Sequence, residues 1–70
     1  MQKWEYLWMY LAQDNKDKSK FVYIANGHRV EAQGHGEALN IVGKDGWELV
    51  SVMITIQTFP QFYFKRPISD

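Results

Sequence analysis

Seventy residues and 8.3 kDa leave room for one small domain spanning 1–70. The chain is 46% hydrophobic and 23% charged, the composition of a folding chain, and eight Lys and Arg balance eight Asp and Glu. With no excess positive charge to gather phosphates, composition argues against nucleic acid or an anionic membrane as partner. No Cys is present, which excludes disulfides, thiol chemistry and cysteine-ligated metal centres. The longest nearly apolar stretch, Leu49 to Ile56, is far shorter than the ~18 residues of a membrane span, and Met1 is not followed by a basic and then greasy leader. A soluble, cytoplasmic protein is therefore expected. Below ~70–80 residues one core seldom supplies more than ~3–5 kcal/mol, so a chain without disulfides or a metal needs self-association.

Trp4 to Ala12 reads as a long strand rich in Trp, Tyr, Leu and Met. Period two sets Trp4, Tyr6, Trp8 and Tyr10 on one face, and Glu5, Leu7, Met9 and Leu11 on the other. Gln13 to Lys20 has no apolar residue and reads as a solvated loop. Phe21 to Ala25 is a second strand, Asn26-Gly27 a type I′ hairpin turn, and His28 to Ala32 a more polar return strand suited to an edge. Glu37 to Val42, with His35 as the earliest start, is the one helix, and Gly43 is the expected left-handed stop.

After the Lys44-Asp45-Gly46 turn, Trp47 to Thr58 forms the second long strand. Alternation places Val50, Val52, Ile54 and Ile56 on one face and Trp47, Leu49, Ser51, Met53 and Thr55 on the other. Phe59-Pro60 breaks the ladder, and Gln61 to Arg66 is the last strand. The expected fold is α+β: an antiparallel sheet of four to five strands with one short helix, in the order β-β-β-α-β-β. Both long strands are apolar on two sides, yet one short helix can cover only one side. The uncovered side exceeds what monomers usually tolerate, and a second copy is the expected cover.

Trp4-Glu5-Tyr6, Leu39-Asn40, the run Gly43-x-x-Gly46-Trp47-Glu48-Leu49-Val50-Ser51-Val52 and the closing Phe64-Lys65-Arg66-Pro67 resemble the small domain-of-unknown-function 4177 family. The likeness spans nearly the whole chain, and its motifs look like fold signatures: a helix stop, a tight turn, a strand start. Members are typically short bacterial or phage proteins without an established common activity, so the resemblance implies no catalytic residue and no cofactor. Leu7 and Trp8 depart from the family pattern, where a smaller or more polar residue follows Trp-Glu-Tyr, and so add apolar area.

Other chemistry is thinly signalled. His28 and His35 have no carboxylate at metal-ligand spacing, and pairs such as His28–Glu31 or His35–Glu37 are common by chance. Asp14, Asn15 and Asp17 open like a calcium loop but lack its Gly and distal Glu, and Lys16 and Lys18 repel a cation. The glycines match no phosphate-cradling loop. Tyr63, Phe64, Lys65 and Arg66 mix aromatic and basic groups as single-strand nucleic-acid binders do, with Lys16, Lys18 and Lys20 adding local positive charge, and Tyr63, Lys65 and Arg66 are the ligand-pocket candidates. Glu5 and Glu48 each follow a Trp at the start of a long strand, which suggests adjacent strands and pairing with Lys3, Arg29, Lys65 or Arg66. The function expected is a non-enzymatic protein-interaction or regulatory module, a homo-oligomer with a protein partner. Its candidate interface residues are Leu7, Trp8, Met9, Leu11 and Met53. The alternative is an oligomeric protein that binds or sequesters a small ligand such as a nucleotide.

Overall fold

The computed structural model describes residues 1–54 and 59–68. Its elements are β1 (Trp4–Gln13), β2 (Phe21–Ala25), β3 (His28–Val30), α1 (His35–Lys44), β4 (Glu48–Met53) and β5 (Gln61–Pro67). The expected α+β order β-β-β-α-β-β holds, with one antiparallel five-stranded sheet in the order β3-β2-β1-β5-β4. The return strand stops two residues short of Ala32, and the expected run of the second long strand through residues 55–58 lies outside the described residues. Glu5 and Glu48 do not mark neighbouring strands: β5 runs between β1 and β4 and pairs with both.

Asn26-Gly27 forms the turn its chemistry demands. Ala25 pairs with His28, and φ is +47° at Asn26 and +88° at Gly27, the double positive φ of a type I′ turn. Asn26 does more than turn the chain. Its Oδ1 accepts from the Trp8 backbone N–H at 3.1 Å, its own N–H donates to the Trp8 carbonyl at 3.1 Å, and its Nδ2 donates to the Tyr6 carbonyl at 3.4 Å. One side chain thereby continues the β1–β2 ladder past its last backbone pair, Met9–Ala25.

The helix ends later than its glycines suggested. Gly43 lies inside α1 with ordinary helical φ, and the left-handed residue is Gly46 at φ +90°. The Gly46 N–H donates to the Gly43 carbonyl at 3.0 Å and that of Asp45 to the Val42 carbonyl at 3.1 Å, which satisfies two otherwise orphaned carbonyls. Two glycines three residues apart both look like stops. Hydrogen bonding is completed only when the second takes the left-handed position.

Residues directly opposite in a ladder share a face. Leu7–Phe64, Met9–Phe62, Met9–Ala25 and Leu11–Tyr23 therefore line the helix side, where Ala38 and Val42 of α1 close the core. Met9 and Phe64 are 0% and 1% exposed and form its centre. In β4 the expected alternation fails. Leu49 pairs with Phe64 but Ser51 with Tyr63, so a bulge between them absorbs one extra residue. Leu49 and Val52 thus share the helix side, whereas Ser51 and Met53 share the open side, against the expected grouping of Leu49 with Ser51 and Met53.

Tyr23 ties the helix start to the sheet: its hydroxyl lies 2.5 Å from Nδ1 of His35, the first residue of α1, whose ring also packs against Phe62 at 5.6 Å between centroids. Burial pushes the Tyr23 phenol above its ordinary value of 10.0.

Three outcomes follow. Gly27→Val lowers the melting temperature, at a cost of ~1–2 kcal/mol for forcing a β-branched residue to positive φ. Gly43→Ala raises it by ~0.5–1 kcal/mol of added stability, since open space surrounds the new methyl and helix favours Ala, while Gly46→Ala lowers it. Tyr23's contribution to stability against urea is fully present below about pH 10 and is lost above it, because the unfolded Tyr23 ionises first. In Tyr23→Phe that alkaline slope is shallower.

Candidate interaction surface

One side of the sheet carries no helix. Its rows follow from register: Trp4, Tyr6, Trp8 and Tyr10 on β1 lie opposite Pro67, Lys65, Tyr63 and Gln61 on β5, and Lys65, Tyr63 and Gln61 lie opposite Glu48, Ser51 and Met53 on β4. The central strand thus presents four aromatic side chains in a line. Trp4 is 39% exposed, Tyr6 68% and Trp8 45%, high values for side chains of this size on the central strand, and Met53 on the edge strand is 49% exposed.

The row is held in place by polar contacts at its margins. Trp8 Nε1 and the Tyr63 hydroxyl both donate to Gln61 Oε1, at 3.2 and 3.0 Å, and the Trp8 and Tyr10 rings lie 4.5 Å apart. Lys65 Nζ sits 4.2 Å from the Trp4 ring centre and 3.9 Å from Glu48 Oε2. Fixing indoles and phenols in this way lowers the side-chain entropy that a partner would otherwise have to remove.

The sequence-derived candidates divide between the two sides. Trp8 and Met53 face the open side. Leu7 and Met9 are buried in the core, and Leu11 packs against it, so these three serve the fold rather than an exposed surface. Tyr63 and Lys65 share the open side, but Arg66 points to the other. There its guanidinium pairs with Glu5, donates from Nη1 to the Asp45 carbonyl at 2.8 Å and stacks 4.1 Å from the Trp47 ring centre. Arg66 thereby binds β5 to β1 and to the C-terminal turn of α1, where a cation also complements the helix dipole. The three ligand-site candidates do not converge. Nor do the loop lysines join them: Gln13 leads to Lys16, Lys18 and Lys20 from the end of β1 opposite Glu5, roughly 26 Å along the strand.

The remaining polar candidates are locally committed. Asp14 Oδ1 accepts from the Lys16 N–H at 3.0 Å, and Asp17 Oδ1 accepts from the N–H and hydroxyl of Ser19. Those Ser19 hydrogen bonds hold the Asp17 carboxyl below its ordinary value. His35 is joined to Tyr23 rather than Glu37. Among the described residues no three His, Cys, Asp or Glu side chains gather as a metal site, and no helix is long and apolar enough to cross a membrane.

One feature had no sequence signal. A cleft of about 520 Å³ opens between the C-terminal half of α1 and the β2–β3 hairpin, with Leu7, Ala25 and Val42 as its floor and Arg29 and Glu31 at its rim. Comparison with protein-family models, with curated proteins and with solved structures finds no match to this chain.

Proposed function

We propose that this chain is a non-enzymatic interaction module that self-associates through the open, aromatic face of its sheet. The observation that carries this is the exposed row of Trp4, Tyr6 and Trp8 on the central strand, extended by Met53. The accessible surface is 5420 Å², above the ~4,600 Å² of a monomeric protein of this mass, which fits a chain with apolar surface still to bury. Zero net charge imposes no long-range repulsion between copies, and a face can meet itself across a two-fold axis, as stacked sheets do about 10 Å apart. The carboxylates that would do acid–base work, Glu5 and Glu48, are paired with Arg66 and Lys65, which favours an interaction role over catalysis. Kinship with the domain-of-unknown-function 4177 family, proposed on the motifs quoted above, assigns no activity against this.

A second function, binding or sequestering a small ligand such as a nucleotide, is favoured by the cleft beneath the hairpin, whose size lies within the ~300–1,000 Å³ of ligand sites. A nucleotide that raises the melting temperature in proportion to the logarithm of its concentration supports that alternative.

Sedimentation tests the first. The wild-type chain at micromolar concentration sediments above monomer mass, and Trp8→Glu shifts it toward smaller species while circular dichroism remains that of folded protein. A folded wild type at monomer mass overturns self-association and leaves the face to a different protein.

A further inference from the structure

The cleft between α1 and the β2–β3 hairpin reaches the core of the protein. Leu7, Ala25 and Val42, which form its floor, are 9%, 7% and 4% exposed, so a molecule lying on them meets packed side chains. Val30, Ile41 and Trp47 carry the apolar lining up its walls. One end is held in place from outside. Arg66 donates to the Asp45 carbonyl at 2.8 Å and stacks 4.1 Å from the Trp47 ring centre, which fixes both residues just past α1. A wall fixed in advance spares a ligand part of the ordering cost of binding.

We infer that the cleft takes a small molecule with an apolar body and one ammonium group, the ammonium seated at Asp45, which rests on the small-ligand reading above and narrows it. Charge at the rim selects the ligand. With His28 neutral, the charged residues lining the cleft are Arg29 against Glu31 and Asp45, one cation and two carboxylates. Arg29 is already engaged, by Glu31 at 3.3 Å and by Asp14 behind it at 3.6 Å. A phosphate or carboxylate would have to draw Arg29 from both partners and face Asp45 with the same sign of charge, which disfavours a nucleotide. Asp45 has no ion pair among the described residues. It caps the C-terminal end of α1, where the helix dipole also favours a cation. Trp47 lines the same cleft, and an indole ring attracts cations, as its stack with Arg66 illustrates. The volume of about 520 Å³ leaves room for the apolar body on the floor.

Three probes that share a phenyl ring and a two-carbon arm test the choice of charge: phenethylamine, phenethyl alcohol and 3-phenylpropionate. Each is titrated at neutral pH into the full chain while backbone amide chemical shifts are followed. Phenethylamine binds about tenfold more tightly than the other two, and the shifts it causes centre on Ala25, Val30, Val42 and Trp47. Asp45→Asn, which keeps the size of the side chain and the backbone carbonyl that Arg66 uses, removes that preference and leaves the affinity for phenethyl alcohol unchanged. Trp8→Glu, on the opposite side of the sheet, alters neither. Equal binding of the three probes in the cleft, or tighter binding there of 3-phenylpropionate or adenosine monophosphate, overturns the ammonium assignment and leaves the small-ligand reading standing. A preference for phenethylamine that survives Asp45→Asn overturns Asp45 as its seat. Probes that shift no residue of the cleft overturn the small-ligand reading and this inference together, without bearing on self-association through the open face.

Discussion

A ten-residue helix, ~15 Å long and ~10 Å across, lies on a sheet ~24 Å wide. It can shield part of one side and none of the other. The core is accordingly a thin layer in which Met9, Phe62 and Phe64 meet Ala38 and Val42, and the large side chains that do not fit there remain on the open side or along β4. Small residues on the inner face of the helix let it approach the sheet closely, which is why Met9 and Phe64 can be sealed by so short an element.

Two contacts hold that helix in position. At its start His35 meets the Tyr23 hydroxyl, and at its end the Asp45 carbonyl takes a hydrogen bond from Arg66, which also pairs with Glu5 and stacks on Trp47. Between them Ala38 and Val42 are buried and Leu39 packs against the core, so polar ends and apolar centre together seat α1. Arg66 is thereby withdrawn from any role on the open face, and the pairing of Lys65 with Glu48 and Trp4 leaves that face with its charge balanced at one margin.

The apolar surface that remains has two geometries. The aromatic row can be buried only by something laid flat upon it, and the β4 edge only by something set beside it. These needs are independent, because one uses side chains on the open face and the other uses backbone groups and residues on both sides of one strand.

Local chemistry was enough to read most of the elements. Asn26-Gly27 specifies its turn because few residues accept two successive positive φ values, and strict alternation from Trp4 to Leu11 separates the two faces of β1 correctly. Which face the helix would cover was not legible, since both rows are apolar; the structure sets Leu7, Met9 and Leu11 beneath Ala38 and Val42 and leaves the Trp4, Tyr6, Trp8 row on the other side. The bulge in β4, the order β1-β5-β4 and the placement of Gly43 inside the helix were likewise decided by tertiary structure. Each depends on which distant backbone groups are available to complete a ladder or a cap, a quantity that no window of neighbouring residues contains.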